Sequence, residues 1–145
     1  MFIVNVEAAI YNEGNKWLVI KRSEKEEHAP GELSLVGGKV DATSGYAIDV
    51  LEKTVIREVW EEVGIRLQDQ IDYVYSSFFT ANDGVQVVDI VFLCEHASGQ
   101  AIAKSKEEVD EVKWLASEYI LSDVKAPDYL KEHIRRADKA RESRK

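Results

Sequence analysis

Between positions 49 and 63 the apolar residues Leu51, Val55, Val59 and Val63 recur every fourth residue, and Gly64 follows the last of them. That spacing draws one apolar stripe along an α-helix, and a glycine just past it suits the left-handed turn that closes such a helix. A one-sided helix needs a surface to cover, and the rest of the chain supplies β-branched and aromatic runs. Phe2–Tyr11 and residues 16–22 flank Asn12-Glu13-Gly14-Asn15 and read as a hairpin. Residues 33–36 read as a short strand ending at Gly37-Gly38, after a charged, exposed loop over 23–32 that carries Pro30-Gly31. Residues 73–80 and 85–95 flank a turn containing Asp83-Gly84 and read as a second hairpin; Val109–Leu115 follows as another strand.

Ser117 is expected to N-cap a short helix, and Pro127 to open a last helix toward Ala140 with Leu130 and Ile134 on one face. Strands outnumber helices without a regular βαβ repeat. The expected class is α+β, helices packed around a mixed sheet, in one domain over residues 1–145.

A chain of 145 residues that is 45% hydrophobic can bury a core without staples. It has one cysteine, Cys94, so no intrachain disulfide forms and a reducing, cytoplasmic compartment is expected. Cys94 lies in the apolar run Ile90 to Cys94, which suits a small buried hydrophobe better than a nucleophile, although His96 stands two positions on. The first residues carry no positive stretch and no long apolar segment, so neither a signal peptide nor a membrane span is expected. The net charge of −8 opposes attraction to a nucleic-acid backbone or an anionic membrane, and no stable nucleic-acid partner is expected. Residues 135–145 reverse the sign locally, with six basic and two acidic side chains, as a solvated helix end would.

The predicted helix contains Arg57-Glu58-Val59-Trp60-Glu61-Glu62. At about 100° per residue, Glu58 lies roughly 60° from Glu61 and roughly 40° from Glu62, so three carboxylates share one strip beside the apolar stripe. Each like-charge pair costs roughly 0.2–0.5 kcal/mol, and a divalent cation removes that repulsion. Oxygen-only ligands suit Mg²⁺, Mn²⁺ or Ca²⁺, whereas one Cys and the scattered His28, His96 and His133 do not suit zinc. Arg57, four residues before Glu61, can hold that carboxylate by a charge-assisted hydrogen bond. A solvated acidic helix face has the same spacing, and spacing alone leaves the two readings level.

Gly37-Gly38-Lys39-Val40-Asp41 followed by the helix text REVWEEVGI resembles the Nudix hydrolase signature. Arg57, Glu58, Val59, Glu61, Glu62, Gly64 and Ile65 match every fixed position of its second half. In the first half Arg57 follows Gly38 by nineteen positions, five more than in the signature. Asp49 stands where the signature has Glu, and Val36 where many members have Pro before the glycine pair. The lengthened loop over 41–48 is a place for substrate-dependent variation.

The resemblance implies an α/β/α sandwich with a central mixed sheet. It implies hydrolysis of a nucleoside diphosphate linked to another moiety, with Mg²⁺ or Mn²⁺ as cofactor. Carried over by residue, the metal ligands are the Gly38 carbonyl and the side chains of Glu58, Glu61 and Glu62, with Arg57 orienting the cluster. Glu58, Glu61, Arg57 and Glu108 are the catalytic candidates; the later-loop acid, Glu108 or its neighbour Glu107, is implied as a metal ligand or base, and the base is either this acid or one of the helix glutamates. Gly37, Gly38 and Lys39 are the substrate-binding candidates. The partner is a nucleotide, and homodimers are common among similar proteins.

Other positions have two readings each. Tyr73, Tyr75, Phe78, Phe79, Trp17 and Trp114 either stack a base or pack in the core. His28 either touches phosphate or is a bystander, and Asp89, alone in an apolar strand, either points outward or reaches the cleft. A (d)NTP-type substrate competes with ADP-ribose, a nucleotide sugar or a dinucleotide. A binding module without hydrolysis is the rival class, and the intact glutamate set favours the enzyme.

Overall fold

A computed structural model of the chain describes residues 1–41 and 45–144. Residues 42–44 of the expected variable loop, and Lys145 of the basic tail, lie outside the described residues. The elements are β1 (Phe2–Tyr11), β2 (Trp17–Arg22), β3 (Leu33–Ser34), β4 (Val36–Lys39), α1 (Val50–Val63), β5 (Arg66–Leu67), β6 (Asp72–Thr80), β7 (Gln86–Ser98), β8 (Val109–Leu115), α2 (Ser117–Ser122) and α3 (Asp128–Glu142). No helix among them is long and apolar enough to cross a membrane.

The sheet is mixed, as expected. β1 pairs with β7 in parallel from Phe2↔Gln86 to Tyr11↔Glu95, and with β4 antiparallel from Asn5↔Lys39 to Ala8↔Val36. β6 lies antiparallel against β7, completing the second predicted hairpin. The side-chain alternation of a strand then divides the core into two layers. Val6, Ala8 and Ile10 of β1, with Phe92 and Cys94 of β7, meet Val55, Val59 and Val63 of α1 on one face. Ala9 of β1, with Val91 and Leu93 of β7, meets Ile120 of α2 and Leu130, Ile134 and Ala137 of α3 on the other. Helices therefore cover both faces, and strands sandwiched this way read as continuous apolar runs.

Burial also explains why α1 tolerates its acidic strip. Val55, Val59 and Val63 are each at most 1% exposed, and burying such a side chain contributes about 1.5–3 kcal/mol, several times the cost of a like-charge pair on the helix surface. Packing decides the helix, and the carboxylates ride on it.

Four local expectations need correction. The first hairpin turns where predicted, but β1 and β2 pair at Tyr11↔Trp17 alone before diverging; β2 pairs instead with β8 and β3. The place beside β1 is taken by β4, which approaches so closely that a Cβ on Gly37 would lie 3.0 Å from Glu7 Cα. The single strand expected over 33–36 is two, broken at Leu35, and the glycine pair lies within β4 rather than after it. Ser117 is the first residue of α2 rather than its cap; its hydroxyl donates to Asp138 of α3 at 2.7 Å and so ties the two helices. The two-residue β5, paired with β7, had no sequence signal of its own.

Cys94 is fully buried, and burial pushes its thiol up to about 12, consistent with a packing role. His96 is engaged elsewhere, with Nε2 2.7 Å from the Gly99 carbonyl. Gly64 closes α1 at φ 72°, its N–H donating to the Val59 and Trp60 carbonyls. Gly64→Ala is expected to destabilise the fold by roughly 1–2 kcal/mol, because a side chain disfavours that left-handed geometry. Urea denaturation would read this as a lower midpoint with an unchanged slope.

Candidate active site

The C-terminal half of α1 faces the glycine strand β4 and the segment that leads into β8. A Cβ added to Gly38 would sit 2.6 Å from Glu58 Oε1, so glycine is what allows the strand backbone to lie against that carboxylate. Glu62, one turn further along α1, is 3% exposed. Its backbone carbonyl accepts the N–H groups of Lys104 at 3.0 Å and Ser105 at 3.4 Å. Those bonds, together with Ser23 N–H donating to the Glu108 carbonyl at 3.0 Å, bring the residues before β8 to the helix. Carboxylate oxygens of Glu58, Glu62 and Glu108 consequently lie within 4.8 Å of one another.

The strip divides by burial. Glu61 and Glu62 stand on opposite flanks of Glu58, so the flank turned to the sheet is dry and the other is wet. The Glu61 side chain is 54% exposed and stands outside the close group. Arg57 links the two flanks, its Nη1 donating to Glu58 at 3.1 Å and to Glu61 at 3.3 Å. It also meets Asp41 at 3.5 Å, a partner that sequence reasoning missed although it lies three residues beyond Gly38.

Electrostatically the cluster is unfavourable as a set of free carboxylates. Burial, then a hydrogen bond and repulsion from Glu58, push Glu62 up to about 10. Glu108 is raised by burial and by Glu58, while Arg22 pulls both the other way. Among the described residues nothing donates to the buried Oε2 of Glu62. A dry carboxylate oxygen without a donor, facing two further carboxylates, is the environment a hard, oxygen-seeking cation fits. Zinc-type sulfur or imidazole ligands are absent from this group.

The remaining sequence candidates are placed as follows. Lys39 ends β4 with its side chain exposed, and Gly37 faces Glu7 on the opposite side of the sheet from Gly38. Glu107 is exposed and paired with Lys25 at 3.6 Å rather than with the cluster. Asp49 precedes α1 in left-handed geometry and makes no side-chain cap bond. Trp17 is a core residue whose Nε1 donates to Ser117 and Asp138. Tyr73, Phe78 and Phe79 are exposed on β6, Trp114 is half-buried against His96, and Tyr75 is half-buried against His133. His28 is exposed. Asp89 is buried on the α3 side and does not join the cluster on α1.

Comparison with known proteins follows the same lines. The family model for the NUDIX domain matches residues 1–136. The crystal structure of a MutT protein from Methanosarcina mazei Go1 superposes with a TM-score of 0.78 at 31% identity, covering 99% of this chain and 96% of that one. A MutT NUDIX hydrolase from Burkholderia pseudomallei gives a TM-score of 0.76 at 26% identity, covering 94% and 98% of the two chains. A MutT-like protein of Streptomyces ambofaciens is 29% identical over 118 residues, 81% of this chain. The match spans 66% of that relative's length. A sheet covered by helices on both faces, a glycine strand pressed on Glu58 and the matching family model lead to one conclusion: the chain belongs to the NUDIX domain family.

Proposed function

We propose that this chain, acting as one domain, is a metal-dependent pyrophosphohydrolase. Its substrate is a nucleoside diphosphate linked to another moiety, most simply a (d)NTP-type nucleotide released as its monophosphate. The observation that carries the reading is the Glu58, Glu62 and Glu108 group with its donorless buried oxygen beside Gly38. The likeness to a MutT NUDIX hydrolase supports the hydrolase reading.

Glu58 and Glu62 would hold Mg²⁺ or Mn²⁺ from the sheet side, with the Gly38 carbonyl beside them and Glu61 on the solvent side. A bound divalent cation supplies neutralisation of the phosphate oxygens and a water of lowered pKa. That answers the objection from the net charge of −8, because an anionic substrate meets the charged site rather than the average surface. Arg57 keeps Glu58 and Glu61 in fixed orientation through its two hydrogen bonds. Lys39, exposed at the end of β4, offers an ammonium to the phosphate chain. Glu108 stands at the rim with its carboxyl raised above the usual range, and there takes the proton of the attacking water. The oxygen of that water bonds to phosphorus, the bridging P–O bond breaks, and its electron pair leaves on the departing phosphate.

Two outcomes are expected. With a panel of nucleotides and dinucleotides in Mg²⁺ or Mn²⁺, chromatography should show monophosphate release. Glu62→Gln, Glu61→Gln and Glu108→Gln should each lower turnover by about 10²-fold or more with unchanged circular dichroism. Absence of turnover across the panel would mean a nucleotide-binding module instead, and Gln variants that turn over like the parent would remove these glutamates from the reaction. The second outcome concerns pH. Glu62 has a folded pKa raised to about 10 from an ordinary 4.5, so the folded state holds the extra proton. In EDTA its stabilising contribution is therefore complete below about pH 4.5 and is lost as pH rises toward 10. Melting temperatures across that range should fall less steeply for Glu62→Gln, and less steeply for the parent when Mg²⁺ is present.

A further inference from the structure

A second polar cluster lies on the α3 face of the sheet, with no part in the reaction proposed above. Successive residues of β4 point opposite ways: a Cβ on Gly38 would meet Glu58, whereas one on Gly37 would lie 3.1 Å from Cγ of Glu7. Glu7 on β1 stands near Asp89 on β7, and His133 of α3 covers both. His133 Nε2 is 2.9 Å from Glu7 Oε2 and 3.6 Å from Asp89 Oδ2. His133 and Asp89 are 2% and 3% exposed, and the Glu7 side chain is 13% exposed.

Hydrogen bonds alone close this cluster only if a proton is shared between Glu7 and Asp89. Nε2 carries at most one hydrogen, which Glu7 at 2.9 Å can accept, and 3.6 Å is too long for a bond to Asp89. Asn5 donates to Asp89 Oδ1 at 2.7 Å, which leaves Oδ2 aimed into the group with no donor from His133. Ionised, the two carboxylates carry more negative charge than His133 can offset, so this dry layer calls for either that shared proton or a bound cation.

We propose that Glu7, Asp89 and His133 form a second metal site, for a first-row transition cation of the Zn²⁺ class, on the face of the sheet opposite α1. The three ligand atoms lie within 4.8 Å of one another. Separations of 2.9 and 3.6 Å bracket the ligand-to-ligand edge of about 3.4 Å expected for a tetrahedral ion with bonds of about 2.0–2.2 Å. One imidazole with two carboxylates selects zinc, iron, cobalt or nickel over magnesium, in contrast to the all-oxygen group on α1. The outer contacts suit the task. Tyr75 Oη lies at His133 Nδ1, so a proton held at Nδ1 is donated to the phenol oxygen and the Nε2 lone pair is free. Two carboxylates and a divalent cation also sum to zero charge.

The test uses the full chain stripped with chelator and does not depend on hydrolysis. Equilibrium dialysis against Zn²⁺ with elemental analysis should show His133→Gln losing about one equivalent that Glu62→Gln retains. Co²⁺ should give a visible band of a four- or five-coordinate site in the parent and in Glu62→Gln, and none in His133→Gln. Because a substitution at a buried position can disturb folding, the parent is also read directly: the ¹⁵N resonances of the His133 ring should shift with Zn²⁺ and stay with Mg²⁺. Ring resonances unmoved by Zn²⁺, or a folded His133→Gln with the zinc content of the parent, would overturn the site and leave a proton-sharing tether between α3 and the sheet.

Discussion

The contact on which the rest of the site depends is that of α1 with β1 and β4. Val55, Val59 and Val63 lock the rotation of the helix about its axis by burying one stripe, and a helix whose rotation is locked has its other side chains aimed as well. Glu58 and Glu62 are thereby driven toward the sheet, where open solvent would favour them more. Gly38 completes the arrangement, since any side chain at that position would occupy the space of the Glu58 carboxylate. Apolar packing of several kcal/mol positions charges whose own mutual energy is unfavourable.

The parts of this arrangement legible in the sequence are those set by local rules. Periodicity gave α1 with Gly64 as its terminus, the Asp83-Gly84 turn gave the β6–β7 hairpin, and Val109–Leu115 was found as a strand to the residue. What escaped was pairing. β1 and β2 each satisfy the pattern of a hairpin, yet β1 spends its edges on β4 and β7, a choice made by strands distant in sequence. Angles on a helical wheel placed three glutamates on one strip, but no wheel records which flank meets the sheet, and so the separation of buried Glu62 from wetted Glu61 needed the tertiary structure. Asp89 shows the same limit. Alone in an apolar run it read equally as pointing outward or reaching the cleft, and the covering helix α3 is what makes its face, opposite that of Phe92, a dry one.

The sheet thus separates two polar groups of different chemistry, with β4 between them. Carboxylate oxygens gather above Gly38, and a mixed imidazole and carboxylate group gathers beneath Gly37. Backbone leaves no room for a side chain on Gly37, whereas one on Gly38 would displace the Glu58 carboxylate. The glycine pair therefore serves the packing of one layer and the placement of an acid in the other.

Glu62 has a double attachment whose consequence concerns chain length. Its side chain enters the acidic group while its carbonyl receives Lys104 and Ser105, four and three residues before Glu108. The register of Glu108 is therefore measured from the residue it meets, across a few bonds, and not along the forty-odd residues of β5, β6 and β7 in between. Extra residues at the tip around Asn82, or a shorter turn there, would be absorbed outside that short circuit, so this hairpin is free to diversify its length while the acids keep their spacing.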